Sequence, residues 1–330
     1  MRDTPSILVS SAGRRNQLMD CFRGAARKLG MNIRILAADM NPAMSPACHA
    51  ADAAFTVPRC TAPDFHEQIR GICRAEDVRL IIPTIDTELP GYASEQAAYA
   101  GIGARLAISS PEVVSLARDK MRFHEFLVAN NLPSPRTGEA IALNGASLAA
   151  LPWPCVFKPR DGSRSLGLLR ANGPRDVPPE IIKDPRYIWQ ERWVGREFTI
   201  HFFINQQGDP ASGVIPCERI EVRDGEVSKG ATRRIPALET AVRTLATALG
   251  KHKAYGPHCA QGIVRDDGKI ALFEMNARFG GGYPLADDAS ATPFTRLLLQ
   301  DAFGIRQDAS NDWHPNRIML RHDTAHFFDE

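Results

Sequence analysis

The apolar run Ile270-Ala271-Leu272-Phe273 leads straight into Glu274-Met275-Asn276-Ala277-Arg278-Phe279-Gly280-Gly281-Gly282-Tyr283-Pro284, and no other stretch restricts the chain so closely. Such a run reads as a buried strand. Glu274 and Asn276 stand two apart, so on extended backbone both point to one face. A carboxylate and an amide oxygen placed together are hard oxygen ligands, suited to Mg²⁺ and to its bridge onto ATP phosphates. Arg278, two residues on, is a fixed cation able to reach the same phosphates. Three glycines then allow a tight turn and offer backbone N–H groups to an anion. A strand that simply ends in a Gly-rich turn explains these residues equally well, so the rest of the chain has to decide.

Its 330 residues are enough for two or three compact lobes. The composition, 44% hydrophobic and 24% charged, is that of an ordinary globular protein. A net charge of +2 gives no reason to expect a nucleic acid or an anionic membrane as partner. Nine histidines are scattered without metal-site spacing, and the seven cysteines form no C-x-x-C pair. A reduced, cytoplasmic protein is the expectation. Ile7-Leu8-Val9 is too short for a signal-peptide core, and no segment approaches a membrane span.

The chain opens with a strand at 6–10, the turn Ser11-Ala12-Gly13-Arg14-Arg15, a helix carrying Leu18, Phe22, Ala25 and Leu29 on one face, and a strand at 33–38. Strand, helix, strand in this order predicts a parallel, doubly wound unit. Further strands are expected at 54–57, 80–83 and 106–108, with helices near 63–75 and 89–100. Ligands of such sheets lie beyond the carboxyl ends of the strands, which draws attention to Arg14 and to the loop Pro83-Thr84-Ile85-Asp86-Thr87-Glu88. Helix capping explains the Thr, Asp and Glu of that loop as well as a substrate contact does. One glycine in Ser11-Ala12-Gly13 is not the G-x-G-x-x-G fingerprint, and Asp39 alone does not make a dinucleotide site. A helix is predicted from Ser110-Pro111 to about Ala129, with Asp119-Lys120 in its middle; a solvated charge pair is the simple reading of those two.

Beyond Pro133 and Pro135 short strands and loops take over. Pro154–Pro159 is a strand with Lys158 inside an apolar run, which is costly unless an anion meets it. The loop 160–167 that follows is rich in Gly, Ser and Arg; it is either a surface hairpin or a phosphate cover, and it is not a Walker loop. Tyr187–Glu191 reads as a strand, Trp193-Val194 as an apolar corner whose backbone suits an adenine edge, and Glu197 as an acceptor for ribose hydroxyls. Strands at 198–204 and 213–222, a helix at 236–249 closed by Gly250, a hairpin 258–264/269–275 and a helix at 290–303 complete the reading. In that hairpin Gln261 stands beside Glu274, where it offers the metal a third oxygen.

Taken in order, these pieces resemble the ATP-grasp superfamily, and within it the carbamoyl-phosphate-synthase-like, single-copy branch. The resemblance spans nearly the whole chain and rests on an ordered set rather than one motif: Asp119-Lys120, Lys158 with its Gly/Ser loop, Glu191 to Glu197, Gln261, and Glu274-x-Asn276-x-Arg278. It implies an α/β protein that turns α+β in its C-terminal part. Residues 1–109 would be a parallel, doubly wound pre-ATP-grasp domain, and 110–330 a two-lobed ATP-grasp domain. The small lid lobe is expected at about 136–192 and the large catalytic lobe at about 193–330.

By resemblance, Lys120 and Lys158 contact phosphates, and Ser163, Ser165 and Gly167 belong to the lid over them. Glu191 with the Trp193-Val194 backbone matches the adenine hinge and Glu197 the ribose acid. Glu274 and Asn276 match the Mg²⁺ ligands (Mn²⁺ being an alternative metal), with Gln261 as an additional one, and Arg278 matches the arginine at the transferring phosphoryl group. Acceptor contacts are expected from Arg14, Asp86, Arg233, Arg234, Gly281, Gly282 and Tyr283, and the arginines suggest an acidic acceptor. Ala277 stands where the family has proline, Arg164 replaces a small lid residue, and the segment from Glu191 to Glu197 is one residue short. The implied activity is ATP- and Mg²⁺-dependent joining of a carboxylate to an amine or other nucleophile through an acyl phosphate, releasing ADP and phosphate. A nucleotide-binding sensor or scaffold on the same fold is the competing reading. The resemblance leaves a homodimer open, as is common in the family.

Overall fold

The structure is a computed structural model and describes residues 4–162, 166–223, 225–325 and 327. Strands β1 (Ser6–Ser10), β2 (Arg34–Asp39), β3 (Ala53–Thr56), β4 (Val78–Pro83) and β5 (Arg105–Leu106) form a parallel sheet in the order β3-β2-β1-β4-β5. Alternation along β1 shows that both faces are covered. Ile7 and Val9 pack with Leu18, Met19 and Phe22 of the helix Asn16–Lys28, while Leu8 faces the cluster of Phe65, Ile69 and Tyr92. Strand order reverses between β1 and β4, so the loops after these two strands border the crevice where doubly wound sheets bind ligands.

Glu88 fixes that crevice. Its fully buried carboxylate accepts from Ser10 Oγ (2.6 Å), Ser11 Oγ (2.9 Å) and the backbone N–H groups of Thr84 (2.6 Å) and Ile85 (3.1 Å). Four donors on one buried acid hold both loops in a single arrangement. The capping reading of this loop therefore applies to Glu88, while Asp86, two residues earlier, points across the crevice to Arg278.

A small antiparallel sheet follows, β6 (Thr137–Glu139), β7 (Cys155–Pro159), β8 (Leu169–Ala171) and β9 (Tyr187–Glu191), in the order β6-β9-β7-β8. It has a core of its own in Leu148, Cys155, Phe157 and Ala171. The largest sheet contains β10 (Arg196–Ile204), β11 (Ile215–Arg223), β12 (Glu226–Thr232), β13 (Gly256–Val264), β14 (Ile270–Asn276) and β15 (Ile318–Leu320), ordered β14-β13-β10-β11-β12-β15 and antiparallel throughout. The helix Pro236–Gly250 packs on it through Leu238, Val242, Leu245 and Leu249.

Some expectations need correction. The helix predicted from 111 onward is two helices, Pro111–Arg118 and Lys120–Ala129, because Asp119 leaves the helical region (φ −109°, ψ 107°) and caps the second through Met121 N and Arg122 N. Glu95 likewise divides the helix expected at 89–100. The last predicted helix begins only at Phe294, after Pro293, and a separate helix Tyr283–Ala289 precedes it. Gly250 lies inside its helix rather than beyond the end. A Cβ there would stand 1.8 Å from Gly208 O, so close backbone approach explains the glycine. Strands β12 and β15 were not anticipated.

Candidate active site

Register determines what shares a surface. Gln261 lies opposite both Thr199 and Glu274, and Thr199 lies opposite Cys217. By the two-residue repeat, Glu197, Thr199, Arg219, Gln261, Glu274 and Asn276 project from one face of the large sheet. Gln261 Nε2 donates to Glu274 Oε1 at 3.3 Å, as the hairpin reading anticipated. These side-chain oxygens fit a hard divalent cation in kind. Among the described residues no group of three or more His, Cys, Asp or Glu is placed to hold a metal, so an ion here would depend on the amide oxygens of Asn276 and Gln261 beside Glu274.

Lys158, on β7, reaches this face from the small sheet. It is buried, its Nζ donates to Gln190 Oε1 (2.9 Å), and it lies 5.5 Å from the ring centroid of Phe273. Burial pulls its pKa down to about 8, with Lys120 acting in the same direction and Glu274 opposing. No carboxylate of the described residues pairs with it. Lys120 follows the Asp119 cap, its N–H bonded to Arg160 O (3.0 Å) and its Nζ to Gly162 O (2.9 Å). Asp119 is tied to Arg160 at 2.8 Å, which anchors the start of the Gly/Ser loop to the helix. The charge pair first read as solvated is therefore part of the loop's mounting.

Lys120, Lys158, Gly162, Glu197, Arg219, Gln261 and Glu274 line one cavity of about 490 Å³. A neighbouring cavity of about 320 Å³ is walled by Val156, Glu191, Trp193, Val194, Glu197, Ile263 and Phe273, more apolar than the first. Gly195 makes the corner after Trp193-Val194 possible, since a Cβ there would stand 2.2 Å from Val264 O. A third cavity, about 300 Å³, holds Arg15, Asp86, Glu226, Glu274, Asn276, Arg278 and Gly280–Gly282. There Arg278 Nη2 donates to Asp86 Oδ2 at 2.6 Å and to Asn276 Oδ1 at 3.3 Å, and Arg118 donates to the Asp86 carbonyl. The first sheet's loop thus supplies the partner of Arg278. A larger cavity, about 740 Å³, opens among Gln96, Arg105, Gln206, Gln207 and Lys253 and contains none of this chemistry.

Not every expected contact gathers here. Ser163 and Ser165 lie outside the described residues. Gly167, at φ +72°, packs against Tyr187 Oη and Pro159. Arg233 is bound to Glu218 (2.8 Å) and Asn316, and Arg234 to Glu239 (2.8 Å) and over the Trp313 ring. Neither lines the three cleft cavities, so neither is retained as a substrate contact. Tyr283 is buried against Phe279 and Phe294 with its hydroxyl donating to Asp287, which makes it core. Arg14 is exposed at the rim. The sequence reading missed Gln190, Thr199, Arg219, Glu226 and Arg321. Gln190 and Thr199 are polar residues within largely apolar strands, which was a signal, whereas the strands of Arg219 and Glu226 carry several charged residues and nothing in the sequence pointed to Arg321.

The comparisons agree with this architecture. Residues 7–107 match the sequence model of the PylC-like, N-terminal domain. No curated protein sequence matches the chain. Among solved structures, the biotin carboxylase domain of Hydrogenobacter thermophilus 2-oxoglutarate carboxylase, in complex with MgADP, ADP and bicarbonate, superposes with a TM-score of 0.73 at 15% identity, covering 95% of this chain and 73% of that one. The L-amino acid ligase of Bacillus licheniformis gives 0.69 at 18% identity, covering 96% and 79%. The N5-carboxyaminoimidazole synthetase of Staphylococcus aureus, complexed with ADP, gives 0.71 at 13%, covering 96% and 79%. The class is thereby defined: the chain has the ATP-grasp fold. The stretch matched by the PylC-like, N-terminal domain model is the one that carries the parallel sheet. No helix of the described residues is long and apolar enough to cross a membrane.

Proposed function

We propose that the protein is an ATP- and Mg²⁺-dependent ligase that joins a carboxylate to an amine through an acyl phosphate. The observation carrying this reading is Lys158, a buried ammonium without a carboxylate partner, facing Glu274 and Gln261 across a cavity of phosphate-binding size. By their names the three neighbours are a carboxylase domain, an amino acid ligase and a synthetase, and the first and third hold ADP. Adenine would sit against Trp193-Val194, ribose at Glu197, and the phosphates between Lys120 and Lys158.

Glu274 and Asn276, with Gln261, would hold Mg²⁺, which when bound supplies charge neutralisation at the β- and γ-phosphates. The substrate carboxylate oxygen attacks the γ-phosphorus, the bond to the β-phosphate oxygen breaks, and ADP leaves. Arg278, held by Asp86, and Lys158 offset charge on the equatorial oxygens. The amine then attacks the acyl carbon, inorganic phosphate leaves, and the nitrogen loses its proton to solvent or phosphate. No serine, cysteine or histidine nucleophile is required. Residues 1–109 and 110–330, with a lid at about 136–192, are the divisions we assign to the two domains and the lid.

A screen of small carboxylates with amines for substrate-dependent ADP release tests the assignment. Glu274→Gln should keep its melting temperature within a few degrees yet lower turnover by orders of magnitude. Equal turnover in the two proteins would remove Glu274 from the metal site.

A further inference from the structure

Two cavities meet beside the proposed phosphoryl-transfer site, the one of about 300 Å³ described above and another of about 240 Å³ that adds Arg14, Asn16, Gln17 and Arg321. Their shared wall is Arg15, Glu226, Gly280 and Gly281. Glu226, on β12, is clamped there from both ends of the chain. Arg15 Nη1 donates to Oε1 at 3.1 Å, and Arg321 Nη1 donates to Oε2 at 3.2 Å. Arg321 also donates to the Gly281 carbonyl. A Cβ at Gly281 would stand 3.0 Å from the Glu226 carboxyl carbon, so this glycine gives the carboxylate its room.

The charges here do not balance. Burial lowers the Arg15 pKa and Glu226 opposes it, while Arg278 and Arg321 lie close enough to disfavour its charge further; against burial, Arg15, Arg321 and Arg14 together lower the Glu226 pKa. Glu226 and Asp86 are the two carboxylates engaged with these guanidinia. Glu274 belongs to the metal face, and Asp323 is exposed on the rim. The buried Nε atoms of Arg278 and Arg321 have no partner among the described residues. Arg278 is matched by Asp86, which leaves two guanidinia, Arg15 and Arg321, facing the single carboxylate of Glu226 with the Arg321 Nε unspent, a site for one more anionic group.

We propose that Arg15 and Arg321 anchor a carboxylate or phosphate that the acceptor carries in addition to its reacting group, and that Glu226 occupies this anchor until the acceptor displaces it. The proposal rests on the ligase reading for the word acceptor, and on the arginine clamp alone for the site. A planar guanidinium pair accepts either anion, so the shared chemistry is a two-oxygen anion. Glu226 thereby makes occupation selective: a ligand must bring enough anionic contact to release an internal carboxylate.

Calorimetry on the full chain distinguishes the possibilities. With the phosphate site filled by a non-hydrolysable ATP analogue and Mg²⁺, glutarate and inorganic phosphate are titrated separately. Glu226→Gln, which removes the competing charge at constant shape, should bind one of the two about tenfold or more tightly than the parent protein. Whichever anion responds identifies the anchor's chemistry. Arg321→Met should lose that binding, while both variants keep the parent's affinity for the nucleotide analogue. If neither anion binds Glu226→Gln more tightly than the parent, or if Arg321→Met binds as the parent does, the anchor is wrong. Should Arg321→Met not fold, the Glu226→Gln comparison decides alone. Failure of the parent protein to bind the nucleotide would count against the ligase reading, and the same titrations without nucleotide would still judge the anchor.

Discussion

At the scale of single residues, Lys158 makes the sharpest demand on the account. A buried lysine whose pKa has fallen to about 8 destabilises the unliganded fold and waits for an anion. Its folded pKa is below the unfolded value, so between about pH 8 and 10.5 the unfolded chain binds more protons and stability rises with pH. Lys158→Met should raise the melting temperature of the unliganded protein at pH 7, by the equivalent of about 1–3 kcal/mol. It should also weaken MgATP binding, by about 2–3 kcal/mol. Parent affinity for MgATP should decline above about pH 8, as the ammonium is lost. A variant with unaltered ATP affinity in calorimetry, or an unaltered melting temperature, would contradict this assignment. Lys158 and the alternation of Glu274, Asn276 and Arg278 were legible in the sequence because polar groups interrupt apolar runs there. Arg219 and Glu226 were not, since β11 carries four charged residues and β12 two, and the pattern does not say which of them face the cleft.

At the scale of elements, two features of the large sheet can be tested. Gly208, at φ +84° in the turn after β10, meets Gly250 of the helix Pro236–Gly250 backbone to backbone. Gly250→Ala should cost about 2–4 kcal/mol in chemical denaturation, because the methyl group has no room and the helix has to shift off the sheet. A loss below about 0.5 kcal/mol would mean that the contact is softer than it looks. The second is two buried histidines on opposite faces of adjacent strands, His201 on β10 against Tyr283 and His258 on β13 stacked on Phe202. Burial lowers their pKa values to about 3 and about 4. Both lie below the ordinary 6.5, so as pH falls from about 6.5 toward 4 the unfolded chain takes up protons that the fold refuses, and stability is lost. Acid titration of His201→Leu should show a shallower loss over that window than the parent. An identical slope would contradict the buried neutral state of His201.

The strands and helices with strong periodicity were readable from sequence, including the parallel opening and the β13–β14 hairpin. What escaped was punctuation that depends on tertiary partners. Asp119 breaks a helix because Arg160 and the cap hydrogen bonds hold it outside helical geometry, and β15 exists because Thr232 and Ser228 of β12 supply its pairing. Neither partner is near in sequence, so no local pattern announces them.

At the scale of the whole molecule, three sheets divide the work that the proposed reaction needs. The small sheet carries Lys158 and one wall of the cavity proposed for adenine, the large sheet carries the face proposed for the metal and the opposite wall, and the parallel sheet sends Arg15 and Asp86 to the far end. In the proposed pose, the order along the cleft from the Trp193-Val194 corner through Lys158 to Arg278 would put the arginine at the terminal-phosphate end of the nucleotide. That polarity favours transfer of the γ-phosphoryl group over adenylation, since Arg278 and the Glu274/Asn276 face lie at the end of the cleft away from the Trp193-Val194 corner. With a carboxylate substrate from the ADP-release screen labelled in its carboxyl oxygens with oxygen-18, mass spectrometry of the products reads the difference directly. The account predicts label in inorganic phosphate, at one oxygen per turnover, with ADP as the nucleotide product. Label in AMP, together with release of pyrophosphate, would contradict it.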